Sequence, residues 1–87
     1  MLYMVSYFLN TPEYNKESVE YDIKALGPWC NYVPGTYLIN TDKDTGFVHN
    51  ACVQHLTAND SMVVAETQKP LGGWLKKDQW DWINLHL

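Results

Sequence analysis

The chain has 87 residues, of which 46% are hydrophobic and 18% charged, so its size and composition fit one small globular domain and exclude a disordered segment. Ten acidic residues against six basic ones give a net charge of −4, and all six basic residues are lysines. This balance argues against strong binding of duplex DNA, which depends on lysine and arginine at the phosphates. Because no apolar run is long enough to span a membrane and no secretory signal is recognisable, we expect a cytoplasmic protein without a membrane partner.

The first half of the sequence predicts a strand, a helix and a hairpin. Residues 2–9 (LYMVSYFL) are apolar enough for a strand in the middle of a sheet. A helix is predicted over residues 15–26, capped by Asn15 and stopped by Gly27-Pro28. The aromatic and β-branched residues on both sides of Pro34-Gly35 are typical of a β-hairpin formed by residues 29–33 and 36–40. The apolar face of the helix consists of Val19, Ile23 and Leu26.

The second half predicts another helix and strand. The helix runs from a cap at Asp44 to about Thr57, and the strand covers residues 61–68. Val48, Cys52 and Leu56 recur every four residues on that helix. The order strand, helix, strand, strand, helix, strand predicts a ferredoxin-like α+β fold, in which a four-stranded antiparallel sheet carries both helices on one face.

A tryptophan-rich tail, residues 69–87, follows the predicted core of residues 1–68 within a single domain, 1–87. We expect Asp78 to cap a short helix there, with Trp80, Ile83 and Leu87 on one side. The helices leave the other face of the sheet open, and Tyr3, Tyr7, Tyr37 and Ile39 are predicted to lie on it. Two roles for the tail stay open: its tryptophans close the domain's own core, or they dock onto a second copy of the chain.

Several clusters of polar residues could form a metal or catalytic site, and each of them also has a purely structural interpretation. Asp42 and Asp44 could supply oxygens to a divalent cation or cap the second helix. His49, Cys52 and His55 are residue types that zinc uses, but they rotate around the helix and lack a fourth ligand, so no metal and no cofactor is predicted. Cys30 and Cys52 are expected to be free thiols, with one disulfide as the alternative. The expected solvated surface of the first helix consists of Lys16, Glu17, Glu20, Asp22 and Lys24, with Glu20 and Lys24 as an i, i+4 pair.

The only local concentration of basic residues lies beside Trp74. A lysine cluster next to a tryptophan can contact nucleic acid or a nucleotide by stacking and backbone neutralisation. The alternative is a tryptophan packed on the sheet with lysine stems around it. The cluster consists of Lys69, Lys76 and Lys77.

The sequence resembles a group of small bacterial and phage proteins described as SinR-like. The resemblance lies in MLYMVSYFLN, a helix ending in ALG, YVPGTYLINTD, NDSMVVAET and the tail GGWLKKDQWDWINLHL. That group is similar in pattern to the ferredoxin-like subunit of the CRISPR adaptation complex and to virulence-associated protein D. The resemblance implies a homodimer packed sheet to sheet, and in some relatives a metal-dependent nuclease.

One position departs from these families. In those families an aspartate at this position meets the same aspartate of the second protomer at the two-fold axis, and the pair holds a divalent metal. This chain has Phe8 there, after Tyr7. A phenyl ring offers no oxygen to a hard cation. We therefore expect a catalytically degenerate homodimer that acts by protein–protein interaction, as an inhibitor or accessory factor of a nucleic-acid-handling or host-defence system. The predicted interface consists of Tyr3, Tyr7, Phe8, Tyr37, Trp74, Trp80 and Trp82.

Two other functions stay open from the sequence. A metal-dependent endonuclease acting on RNA or DNA would need a substitute carboxylate, for which Asp42 and Asp44 are the candidates. A nucleotide-binding protein would use aromatic walls from Tyr3, Tyr37 and Trp74 in a groove between protomers.

Overall fold

A computed structural model describes residues 1–68 and 72–86, and in it the chain has the predicted ferredoxin-like topology. The four strands form one antiparallel sheet in the order β2-β3-β1-β4, so the first strand lies in the middle, as expected. A third helix follows the βαββαβ core. The elements are β1 (Leu2–Phe8), α1 (Pro12–Lys24), β2 (Trp29–Val33), β3 (Thr36–Asn40), α2 (Thr45–Cys52), β4 (Ser61–Thr67) and α3 (Lys77–His86).

The main core lies between the sheet and the first two helices. Side chains alternate between the two faces of a strand, and in β1 Tyr3 and Val5 point towards α1 and α2. We call this side of the sheet the helix face. The buried cluster on it consists of Tyr3, Val5, Leu9, Val19, Ile23, Tyr37, Ile39, Val48 and Cys52.

Helix α1 begins earlier than predicted. It starts at Pro12, with Thr11 at the cap position, because a proline in the first turn has no N–H to leave unsatisfied and is already restricted to a helical φ. Asn15, the predicted cap, is therefore inside the helix and buried. Its side-chain amide donates to the carbonyl of His55 and to Asp60 Oδ2, both at 2.9 Å, and so ties α1 to the segment before β4.

Helix α2 ends earlier than predicted, at Cys52. The next residues do not continue the helix because other partners hold their backbone groups. The His55 carbonyl accepts from Asn15, and the Thr57 N–H donates to Asp60 Oδ2 at 2.8 Å. The predicted cap is confirmed, since Asp44 accepts from the backbone N–H of Phe47 at 2.8 Å.

Asp60 joins three segments of the fold. Besides Thr57 and the Asn15 amide, its carboxylate accepts from the backbone N–H of Asn10 at 2.9 Å. Hydrogen bonds from Thr57, Asn10 and Asn15 stabilise the charged form and lower the pKa of Asp60 to about 2. In the unfolded chain the same carboxyl titrates near its ordinary value of about 3.9.

This shift predicts a specific acid sensitivity. Because the folded-state pKa is lowered, the contribution of Asp60 is complete above about pH 4 and is lost as the pH falls to about 2. We expect the melting temperature of the wild type to fall across that range more steeply than that of Asp60→Asn, whose amide does not titrate. Thermal unfolding followed by circular dichroism checks this, with Asp42→Asn, an exposed position, as the matched control. Equal acid sensitivity of the wild type and Asp60→Asn would contradict it.

The tail helix α3 also starts before its predicted cap. Asp78 lies in the first turn, and the backbone N–H of Lys76 donates to the side chain of Gln79 at 3.1 Å, the reciprocal half of a capping box. Of the predicted apolar side of this helix, Ile83 is buried and Trp80 half-buried, whereas Leu87 lies outside the described residues. Among the residues described, no helix is long and apolar enough to cross a membrane.

Candidate functional site

The tail of the chain packs on the second face of its own sheet, which we call the tail face. Ile83 of α3 contacts Leu2 of β1 and Leu38 of β3 in a second buried cluster. Trp80 and Trp82 pack against this cluster and are half-buried. The tail therefore covers the tail face over β2, β3 and the start of β1. Trp74, which precedes α3, is fully exposed at 100%.

The far end of the tail face is left uncovered. Strand alternation and the pairing of Ser6 with Val63 and of Phe8 with Ser61 place these residues on the same side as Leu2. Phe8 is 63% exposed and Val63 is 66% exposed, which is unusual for large apolar side chains on a sheet. We call this surface the open strip. It consists of Ser6, Phe8, Ser61, Val63 and Ala65, all exposed and none charged.

A cleft on the helix face is a second candidate site, and we call it the α1–hairpin cleft. It lies between α1 and the β2–β3 hairpin and has a volume of about 560 Å³. Tyr7 and Tyr37 lie at its base with their rings stacked, 6.3 Å between centroids and 17° between planes. The hydroxyl of Tyr7 donates to Glu20 Oε2 at 2.6 Å. Burial and the neighbouring carboxylate of Glu20 raise the pKa values of Tyr7 and Tyr37, which keeps both phenols protonated.

The charged side chains of this cleft differ from the solvated helix surface predicted for them. Glu20 and Lys24 are half-buried, and they do not form the predicted ion pair. The Lys24 ammonium lies instead over the Trp29 ring, 4.7 Å from its centroid, and 5.9 Å from that of Tyr37. Lys16 completes the charged lining one turn earlier on α1. The sequence does not reveal this site, because charged residues on a helix are expected to face solvent unless the position of the hairpin beside them is known.

The predicted position of four side chains on the open face of the sheet is wrong. Tyr3, Tyr37 and Ile39 are almost completely buried on the helix face, and Tyr7 is half-buried there. The reason is that β1 has apolar residues at both odd and even positions, so its sequence alone does not show which face of the strand the helices cover. Tyr3 and Tyr37 consequently offer almost no surface to a second chain. Within one chain, Tyr37 and Trp74 border clefts on opposite faces of the sheet. The predicted nucleotide groove between protomers stays a prediction.

The candidate metal ligands are dispersed. Asp44 is the cap of α2, and Asp42 is exposed beside it. Both follow β3, whose last residue pairs with Leu2, so they lie at the opposite end of β1 from Phe8, a separation of about 20 Å over seven strand residues. Neither can replace a carboxylate at Phe8. In residues 1–68 and 72–86, no group of three or more His, Cys, Asp or Glu side chains comes together in a way that could hold a metal.

The histidine and cysteine side chains have other partners. His55 contacts Asp22 at 2.5 Å, and exposed His49 lies 3.3 Å from Asn50. Cys52 is fully buried, and burial raises the pKa of its thiol to about 11. Both cysteines are free, as expected, because Cys30 belongs to the tail face and Cys52 to the helix face.

Two of the three predicted basic contacts can be located. Lys76 and Lys77 are exposed at the start of α3, and Lys77 pairs with Asp81 at 2.8 Å. Lys69 lies outside the described residues. A role for these lysines in contacting nucleic acid or a nucleotide stays a prediction.

Comparisons with protein-family models, with curated proteins and with solved structures each found no match. The resemblance to the SinR-like group therefore stays an expectation.

Proposed function

We propose that this protein is a homodimeric interaction protein whose copies meet through the open strip. The observation that carries the proposal is the exposure of Phe8 and Val63, diagonal neighbours on adjacent strands at the end of the sheet that α3 does not cover. Clustered exposed apolar side chains on a small domain are typical of an association surface. Since Phe8 offers no oxygen ligand, the strip is suited to a dry apolar contact and not to holding a divalent metal.

The absence of charge on the open strip permits a second copy of this chain as the partner. The chain carries a net charge of −4, so two copies repel each other wherever their acidic surfaces meet. The open strip has no charged side chain, and it can face its own image about a two-fold axis without placing like charges together.

The neighbouring strand β4 supports the same surface. It pairs only with β1 and is therefore an edge strand of the sheet. In monomeric proteins, edge strands are usually protected from pairing with another chain by lysine, proline or bulges. The seven residues SMVVAET of β4 contain one charged residue, Glu66, and no lysine or proline. The outer edge of β4, the strand that carries Val63, therefore offers backbone N–H and C=O groups to a second copy next to the open strip.

The mass of the wild-type chain in solution tests the proposal. Light scattering over a wide range of protein concentrations is expected to give twice the mass of one chain, with dissociation only on dilution. A single-chain mass at every concentration would overturn it. Raised salt is expected to leave the dimer intact or strengthen it, because the contact is apolar and the acidic surfaces are screened.

A further inference from the structure

The α1–hairpin cleft is preformed within one chain. Gly35 forms one wall at φ +83°, and a side chain there would clash with the Tyr7 carbonyl, which lies 2.8 Å from where a Cβ would be. The backbone N–H of Tyr7 donates to the Gly35 carbonyl at 2.8 Å. The Asn31 side chain bridges the hairpin by donating to the carbonyls of Val33 and Thr36 at 2.8 and 2.9 Å. These bonds hold the wall opposite α1 without help from a ligand.

The charges along α1 form an ordered row in this cleft. Lys16, Glu20 and Lys24 are each four residues apart, so they share one side of the helix and span about 12 Å. In the described part of the chain neither lysine forms an ion pair. One end of the row presents an ammonium group, the middle a carboxylate, and the far end an ammonium beside the half-exposed Trp29 ring.

We propose that this cleft binds a single nucleotide unit. The order of the row matches the order in which a 5′-mononucleotide carries its phosphate, ribose and base. Lys16 neutralises the phosphate, Glu20 accepts from a ribose hydroxyl, and the base lies over the Lys24 ammonium in a cation–π contact. Trp29 is not part of the cleft lining, and its ring holds the Lys24 ammonium in place from the other side.

The volume of the cleft, about 560 Å³, lies within the usual range of small-molecule sites, about 300–1,000 Å³. This site shares Tyr37 with the predicted one but lies within one chain and not between protomers. All its lining residues come from a single chain, and Phe8 of the open strip is among them.

Calorimetric titration of the full chain with AMP tests the proposal. We expect saturable binding of AMP, and binding at least about tenfold weaker for adenosine and for ribose 5-phosphate, each of which lacks one contact group. Lys16→Gln and Lys24→Gln are each expected to weaken AMP binding about tenfold, the effect of losing one charge-assisted contact. The matched control is Lys43→Gln, which removes the same charge and a similar cation–π contact, Lys43 over Phe47 at 5.4 Å, away from the cleft.

The outcomes separate the proposal from its alternatives. Amide chemical shifts that change on AMP addition at Gly35 and Asn31, but not at Gly46 of α2, would place the ligand in the cleft. A trinucleotide that displaces AMP would identify a strand terminus as the source of the nucleotide, and failure to displace it would identify the free nucleotide. Absence of AMP binding, or equal weakening by Lys43→Gln, would overturn the proposal.

Discussion

Replacing Ile83 with alanine is expected to lower the free energy of unfolding by about 2–5 kcal/mol, the usual cost of emptying a buried isoleucine site. Ile83 is 2% exposed and lies between Leu2 and Leu38. In a domain of this size each kcal/mol corresponds to about 4–8 °C in melting temperature. Thermal and denaturant unfolding measure the loss. The effect would show that the tail is part of the folded domain and not an appendage.

The same helix provides the control for this prediction. Leu85 is 78% exposed, so Leu85→Ala removes a comparable side chain without opening a cavity. We expect its stability to stay within about 0.5 kcal/mol of the wild type. Equal losses in the two variants would mean that α3 does not pack on the tail face as described.

Replacing Phe8 with aspartate is expected to abolish the dimer at concentrations where the wild type is dimeric. Each copy loses an apolar contact worth about 2 kcal/mol or more if it lies at the centre of the interface. Two-fold symmetry doubles the loss, so the dissociation constant rises roughly a thousandfold. The two introduced carboxylates also face each other while losing water, which adds to the cost. Sedimentation equilibrium of the two proteins measures the change.

An exposed aromatic residue outside the open strip provides the matched control. Tyr14 on α1 is 76% exposed, and Tyr14→Asp introduces the same charge in the first turn of a helix, where it is tolerated. We expect this variant to remain dimeric. Because Phe8 is 63% exposed in the single chain, Phe8→Asp should keep its fold, which circular dichroism verifies. A dimer that responds equally to both substitutions would contradict an interface at the open strip.

The sequence predicted those elements that short-range chemistry determines. Pro34-Gly35 predicted the hairpin with both strand boundaries as observed, because the turn conformation requires these residue types. Val19 and Ile23, as well as Val48 and Cys52, predicted the buried sides of the first two helices. The end of α2 was less predictable, since the His55 carbonyl after it accepts a long-range bond from Asn15, and the Thr57 N–H donates to Asp60 three residues further on.

The candidate sites could be predicted from the sequence only in part. Three successive apolar residues, Met62, Val63 and Val64, do indicate that β4 carries apolar side chains on both faces, because alternation places the middle one opposite to its neighbours. Which face the helices cover is known only from the structure. The sequence gives no such signal for the α1–hairpin cleft, which exists only once the hairpin lies beside α1. It also could not decide between packing of the tail on its own sheet and packing on a neighbour's, because both bury the same apolar side of α3.

A charge-complementation experiment tests the central claim most directly. Phe8→Asp and Phe8→Lys are prepared separately and then mixed, and the mass of each sample is measured by light scattering. If Phe8 meets its own copy at a two-fold axis, each variant alone is a single chain, since like charges are apposed, and the mixture forms a one-to-one heterodimer. Variants that stay dimeric alone, or a mixture that stays monomeric beside a dimeric wild type, would contradict self-association through the open strip.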